Sequence, residues 1–173
     1  YENERQPTRQ SLVLIGGDGN GYDYSEKDWY RLAFEFKNIS STFINSKRTP
    51  KFAWQNLKEN SGSEHKHLDT ENTDLQLLTK NLDEHSHIFV TADSTTRISE
   101  IISRGYFINV IEMKGPIQYE MHHDLMKSLQ EKGLLKIMRL DELHLSENKY
   151  HGNVKKFVVT ERDALKSKLQ KLL

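Results

Sequence analysis

Short runs of apolar residues alternate along the chain with longer stretches in which apolar and polar residues are mixed. In the mixed stretches apolar residues recur every three or four positions, the period of a helix with one buried face. The polar stretch 61–72 predicts a loop with one short strand inside it. Five short segments rich in apolar residues predict buried strands at 11–16, 41–46, 87–93, 106–113 and 134–140.

Local signals mark where several helices begin and end. Ser25 and Asp28 have the spacing of a capping box, so a helix is predicted to start there. Gly105 and Gly133 each follow a helical pattern, in the position where glycine commonly ends a helix. Three apolar stripes are predicted to face the core: Leu75, Leu78 and Leu82; Ile117, Met121, Leu125 and Leu129; and Leu165, Leu169 and Leu172.

This alternation predicts an α/β fold, a Rossmann-like parallel sheet with helices on both faces. We expect a polar lead-in over 1–10 and a single domain over 11–173. Ligands of such sheets bind beyond the carboxyl ends of the strands. The segments where a site is expected are therefore 16–25, 46–50, 93–97 and 114–117.

Composition excludes several classes of function. The chain has 25 Lys and Arg and 25 Asp and Glu, so its net charge is zero and nothing draws it towards nucleic acid. It has no cysteine, hence no disulfide and no thiolate zinc site. No apolar run is long enough to span a bilayer. The chain begins with Tyr1 rather than Met, so we expect it to be the C-terminal domain of a longer protein.

A loop with four glycines, GGDGNG, follows the first predicted strand. It is not a calcium loop, because Asp23 stands where that loop needs glycine. It is not a P-loop, because no Gly-Lys-Ser/Thr follows. Gly16 and Gly17 are predicted either to bring backbone N–H groups close to an anion, beside a helix that starts at Ser25, or to form a plain turn.

Hydroxyl side chains cluster after the strand predicted at 87–93. Asp93 is followed by Ser94, Thr95 and Thr96, and Glu100 lies one turn further on. Helix N–H groups and three hydroxyls would suit a diphosphate, with Glu100 on a ribose. The other interpretation is that the hydroxyls only cap the helix and that Glu100 is solvated.

The segment NSKRTP supplies the expected counter-charge. Ser46, Lys47, Arg48 and Thr49 follow the second strand, and arginine offers a fork of donors to a phosphate. The alternative is that these are solvated loop charges. The eight histidines do not have the spacing of metal ligands, so no metal site is predicted.

The order of VLIGG, NSKRTP and TADSTTRISE resembles the mitochondrial fission elongated-mitochondria family over about residues 11 to 135. It is also similar to the donor-binding, C-terminal half of GT-B glycosyltransferases. The resemblance implies that a glycine turn and a helix start face a diphosphate, that a basic segment neutralises it, and that a glutamate holds the ribose. The matching residues are Gly16 and Gly17; Asp93, Ser94, Thr95 and Thr96; Ser46, Arg48 and Thr49; and Glu100.

The function that the resemblance implies is nucleotide-sugar binding, in a metal-independent glycosyltransferase whose acceptor and general base come from an N-terminal domain outside this sequence. The alternative is a catalytically inactive recruitment module with the same fold. We expect a cytoplasmic location in a bacterium, or else the cytosolic face of mitochondria. An epimerase is disfavoured because no Tyr-x-x-x-Lys pair occurs.

Overall fold

The protein is described by a computed structural model over residues 11–62, 64–72, 74–114 and 120–145. The lead-in 1–10 and the closing helix expected after Thr160 lie outside the described residues. The strands are β1 (Ser11–Leu14), β2 (Ser41–Ile44), β3 (Lys66–Leu68), β4 (His87–Thr91), β5 (Ile108–Glu112) and β6 (Leu135–Arg139). The helices are α1 (Glu26–Phe36), α2 (Lys51–Asn60), α3 (Leu75–Glu84), α4 (Thr95–Ser103) and α5 (Glu120–Glu131), with 3₁₀ turns at Thr70–Asn72 and Leu140–Leu145.

All six strands form one parallel sheet in the order β3-β2-β1-β4-β5-β6. The predicted α/β Rossmann-like fold is therefore confirmed, and so is the short strand within 61–72. The chain runs outward from β1 in one direction and from β4 in the other. The crevice between the ends of β1 and β4 is thus the switch point, where such sheets bind ligands.

Helices cover both faces of this sheet. Right-handed crossovers with this strand order place α1 and α2 on one face and α3, α4 and α5 on the other. The contacts agree, because α1 packs on α2, and Arg104 at the end of α4 donates to Thr79 Oγ1 of α3 at 2.9 Å.

The core lies between these layers and is rich in aromatic side chains. Phe36 of α1 meets Phe43 of β2 and Phe89 of β4 edge-on, with ring centroids 5.7 and 5.4 Å apart. Trp29 of α1 is also fully buried and meets Tyr24 edge-on, with ring centroids 5.5 Å apart. Such burial contributes roughly 2–3 kcal/mol per large apolar side chain before the entropy of ordering is subtracted.

Two of the predicted core stripes are partly wrong. On α5, Met121 is 79% exposed and Leu125 is 40% exposed, while His122 and Met126 are buried in their place. The helix is turned because His122 has two polar partners beneath it, which a sequence pattern of apolar residues does not reveal. On α3, Leu78 and Leu82 are buried as predicted, but Leu75 is exposed. Ile117 lies outside the described residues.

Candidate functional site

The loop after β1 contains a tight reverse turn. Gly19 and Tyr22 exchange two backbone hydrogen bonds of 3.0 and 2.9 Å. The two residues between them, Asn20 and Gly21, both have positive φ, at 51° and 82°. That combination is typical of a type I′ turn, for which Asn-Gly is a favoured sequence. The segment GNGY is therefore a defined turn, and it directs the side chain of Asn20 towards β4.

Gly16 and Gly17 are needed as glycines because neighbouring groups come very close. A Cβ at Gly16 would lie 2.0 Å from Asp93 Oδ2, and one at Gly17 would lie 2.1 Å from the carbonyl oxygen of Arg48. Their N–H groups have protein acceptors, Thr91 Oγ1 for Gly16 at 2.8 Å and Asp93 Oδ2 for Gly17 at 2.9 Å. These glycines thus shape the crevice, and in this structure their N–H groups are not directed at a ligand.

Asp93 joins the three loops of the switch point. It is fully buried, and its Oδ2 accepts from Gly17 N–H and from Arg48 Nη2, each at 2.9 Å. Its Oδ1 has no hydrogen-bond partner among the described residues. Burial raises the pKa of Asp93, and the Gly17 hydrogen bond and the Arg48 charge partly oppose this. The residue therefore anchors the site from below and is not available to contact a ligand directly.

The segment after β2 brings a cation to the same place. Thr49 Oγ1 donates to the carbonyls of Ile15 and Gly16 at 3.1 and 2.6 Å and accepts from Ser46 N–H at 2.9 Å. This fixes the turn against the β1 loop. Arg48 extends from it, donating to Asp18 O at 3.0 Å and to Asp93, with 45% of its side chain exposed. Its guanidinium is held in place and still reaches solvent.

A polar cleft of about 370 Å³ opens between these loops and the start of α4. Five of the predicted site residues line it from two segments, together with two residues that were not among those predicted to bind the ligand. Lys47 adds a second cation, and Asn20 adds an amide that donates to Asp93 O and to Thr95 Oγ1. The lining residues are Asn20, Ser46, Lys47, Arg48, Ser94, Thr95 and Thr96.

The first turn of α4 has no side-chain cap. Ser94 occupies the N-cap position, but its hydroxyl makes no capping hydrogen bond. The first N–H of this helix with a backbone acceptor is that of Ile98, which donates to Ser94 O. Within the described residues, the N–H groups of Thr95, Thr96 and Arg97 have no acceptor. The positive end of the helix therefore faces the cleft uncapped.

Glu100 does not line this cleft. Its carboxylate pairs with Arg97 of α4 at 3.2 Å and with Arg104, the C-cap of α4, at 2.9 Å. Each pair has helical spacing, i,i+3 and i,i+4. The predicted ribose contact remains a prediction.

A histidine that the sequence analysis did not single out lies behind the cleft. His122 is buried, with Nε2 2.7 Å from Ala92 O and Nδ1 2.8 Å from Thr95 Oγ1. The ring of Tyr22 meets it edge-on at 5.6 Å, and the Tyr22 hydroxyl donates to Glu112 at 3.1 Å. A lone histidine on a helix gives no sequence signal for this contact, because Thr95 is 27 residues away.

Two further classes of site were sought in the part of the chain that the structure describes. There, no group of three or more histidine or acidic side chains is arranged to hold a metal ion. No helix among these residues is long and apolar enough to cross a membrane.

A model of the family described as mitochondrial fission ELM1 matches residues 2–161 of the 173-residue chain. The chain belongs to this family. The family resemblance inferred from VLIGG, NSKRTP and TADSTTRISE is thereby confirmed. The finer expectation, that the domain is half of a GT-B fold, remains a prediction.

No curated protein sequence matches the chain. Among solved structures, YcaC from Pseudomonas aeruginosa, determined with hexane-2,5-diol and covalent acrylamide, is similar at 9% identity and a TM-score of 0.49, with 98% of this chain and 99% of that chain covered. Phenylacrylic acid decarboxylase from Aquifex aeolicus is similar at 13% identity and a TM-score of 0.42, with 91% and 97% covered. At these values neither likeness bears on the function of this chain.

Proposed function

We propose that the chain binds the diphosphate of a nucleotide-sugar-like ligand in the cleft at the switch point. The observation that carries this proposal is the uncapped start of α4 facing two cations, Lys47 and Arg48, across one cleft. Free N–H groups at a helix start favour anions, and arginine and lysine supply the opposite charge.

The donors in the cleft suit a diphosphate better than a neutral ligand. Three main-chain N–H groups at 95–97 and the hydroxyls of Ser94 and Thr96 lie on one side. The two cations lie on the other side, from the segment after β2. This arrangement supplies the counter-charge without a metal ion, in agreement with the mechanism that the family resemblance implied.

The roles within the predicted set differ. None of four predicted residues lines the cleft, but they hold its lining in place through hydrogen bonds to one another, to Thr91 and to Arg48: Gly16, Gly17, Thr49 and Asp93. Ser46, Arg48 and Ser94–Thr96 present atoms to it. We therefore assign the first group to shaping the site and the second to contacting the ligand.

If the protein transfers a sugar, its contribution here is stabilisation of the leaving diphosphate by N–H groups, hydroxyls and cations. The acceptor and the general base would come from a further domain, so this chain alone is expected to bind without turnover. We place this function in the bacterial cytoplasm, with the cytosolic face of mitochondria as the alternative.

A calorimetric titration tests the proposal, using UDP-N-acetylglucosamine, UDP, GDP and CMP with and without Mg²⁺. We expect saturable, metal-independent binding of at least one diphosphate. Lys47→Gln should weaken it about fivefold, because an exposed cation contributes about 1 kcal/mol. Lys132→Gln is the matched control, since Lys132 is exposed between α5 and β6, at the opposite edge of the sheet.

Equal binding by both variants, or no saturation by the folded wild type at millimolar ligand, would contradict the proposal. The recruitment module would then be favoured by a separate observation. Phe34 is 71% exposed on α1 and, with Tyr30, lines a groove of about 470 Å³ beside α2, whose other lining residues are basic or amide side chains. An exposed aromatic surface of this kind is typical of a protein-binding site.

A further inference from the structure

Three side chains form a continuous hydrogen-bonded chain from the cleft into the core. Asn20 Nδ2 is 2.9 Å from Thr95 Oγ1, and Thr95 Oγ1 is 2.8 Å from His122 Nδ1. On the other side of the imidazole, Nε2 is 2.7 Å from Ala92 O. Thr95 lines the proposed diphosphate cleft, whereas His122 is buried behind it.

The direction of each hydrogen bond follows from what its atoms can donate. A carbonyl only accepts, so His122 Nε2 carries a proton and donates to Ala92 O. Asn20 Nδ2 also bonds to Asp93 O, which fixes this atom as the amide nitrogen, so it donates to Thr95. In neutral His122 the Nδ1 atom accepts, and it takes the single hydroxyl proton of Thr95. The Thr95 hydroxyl can then only accept a hydrogen bond from a ligand in the cleft, through its remaining lone pair.

Protonation of His122 reverses one bond in this chain. Nδ1 then donates to Thr95 Oγ1, whose lone pairs are occupied by His122 and Asn20. The hydroxyl proton of Thr95 is released and can be donated into the cleft. A lone pair that repels an anion is replaced by a donor that binds it, and a positive charge is added behind it.

We propose that His122 is a positioning residue that decides whether Thr95 accepts or donates in the cleft, so that protonation of His122 strengthens diphosphate binding. This inference rests on the proposed function. It assigns a role in ligand binding to His122, which was not among the predicted site residues.

Other titratable groups surround the imidazole. Tyr22 packs on it edge-on from the loop after β1, and burial together with the charges of Glu112 and Asp93 raises the pKa of Tyr22 well above its usual range. Tyr22 therefore stays neutral in the range where histidines titrate. Asp93 follows Ala92 and is paired with Arg48, and His123 is next to His122 on α5, 3.8 Å from Glu112. Of these groups, His123 is the second histidine and therefore needs its own control.

The test is a calorimetric titration at about pH 6 and about pH 8, which bracket the usual titration of histidine. The ligand is a UDP-sugar, because its diphosphate diester keeps the same charge over this interval, unlike UDP. We expect the wild type to bind about tenfold more tightly at the lower pH, the gain of one charge-assisted hydrogen bond. His122→Gln should bind equally at both pH values, and Thr95→Val should lose most of the pH dependence, keeping only the part that comes from the added positive charge.

His123→Gln is the matched control and should keep the pH dependence of the wild type. If His122→Gln does not fold, Thr95→Val alone carries the test, because its only change is the hydroxyl. Equal wild-type affinity at both pH values would overturn this inference and leave the proposed function standing. If the wild type does not bind at either pH, both this inference and the proposed function are overturned.

A measurement without ligand tests the same inference. Nitrogen chemical shifts of the imidazole in ¹⁵N-labelled protein at about pH 8 report which nitrogen carries the proton. We expect Nε2 of His122 to be protonated and Nδ1 to be unprotonated. A proton on Nδ1 at that pH would overturn the inference, because Thr95 would already be free to donate.

Discussion

Helices α1 and α4 each follow one of the two central strands and begin at the same edge of the sheet, yet their first turns are built in opposite ways. The start of α1 is closed. Ser25 accepts from Asp28 N–H, Asp28 Oδ2 accepts from Ser25 N–H at 2.8 Å, and Glu26 adds a second carboxylate. This capping box satisfies the N–H groups of Ser25 and Asp28, and the two carboxylates offset the positive end of the helix.

The start of α4 is open. Its N-cap Ser94 makes no capping hydrogen bond, and no acidic residue lies in the first turn. The hydroxyls of Thr95 and Thr96 and the side chains of Lys47 and Arg48 surround it instead. This difference indicates that the start of α4 is better suited to bind an anion than the start of α1. The sequence pattern allowed an anion site at either helix start, and the capping box now disfavours the one at α1.

The largest effect is expected at Gly17, which packs against the backbone of Arg48 beside the cleft. Gly17→Ala places a Cβ 2.1 Å from the backbone carbonyl of Arg48, which cannot move without disrupting the turn that carries the cation. We expect the free energy of unfolding to fall by about 3 kcal/mol, measured by urea denaturation. Gly133→Ala is the control, because its φ is +70° but no atom lies within 4 Å. It should cost about 1 kcal/mol from backbone strain alone, and equal losses would contradict the steric account.

The next effect comes from making α4 resemble α1. Thr96→Asp puts a carboxylate into the first turn and into the cleft. Diphosphate affinity should fall at least about tenfold by like-charge repulsion, measured by calorimetry. The melting temperature should not fall, since an acid at a helix start is favourable. Thr96→Asn has the same shape without the charge and should retain most of the affinity. If both variants lose diphosphate affinity equally, the loss does not come from the charge of the carboxylate.

The reverse change on α1 is expected to affect stability and not binding. Asp28→Ala removes the acceptor for Ser25 N–H and should lower the free energy of unfolding by about 1 kcal/mol. Ligand affinity should be unchanged. Asp23→Ala, which removes an exposed carboxylate from the same segment, serves as the control and should change neither quantity. Weaker ligand binding by Asp28→Ala would indicate that α1 takes part in the site.

The smallest effect is a pH dependence that comes from Asp93, below the start of α4. Burial raises its pKa in the folded state, so the neutral form is favoured there. Its stabilising contribution is complete below the unfolded pKa of about 3.9 and is lost as the pH rises through the folded pKa. Relative to Asp93→Asn, the wild type should therefore gain stability as the pH is lowered from 7 towards 4, measured by urea denaturation at each pH. A constant difference would contradict the direction of the shift.

The fold followed from the sequence because its signals are local. The capping box at Ser25 was predicted correctly, since it depends on two residues within one helical turn. The Asn20-Gly21 turn and the pairing of Glu100 with Arg104 have equally local signals, although neither was predicted.

Other features depend on contacts between residues far apart in sequence. Arg48 and Asp93 meet across 45 positions, and His122 reaches Thr95 across 27. No periodicity encodes such pairs, so the anchoring of Arg48 and the buried face of α5 could not be predicted. Five of the seven cleft residues could be predicted because they follow strand ends, whereas Asn20 and Lys47 were not predicted to bind the ligand.

The central claim is that an anion binds at the start of α4 and not at the start of α1. Amide chemical shifts in ¹⁵N-labelled protein, followed during titration with a UDP-sugar, test this claim residue by residue. We predict the largest shifts at Thr95, Thr96 and Arg97, with those of Glu26 and Asp28 nearly unchanged. Saturable shifts centred on α1, or none at 95–97 while the ligand binds, would contradict the account.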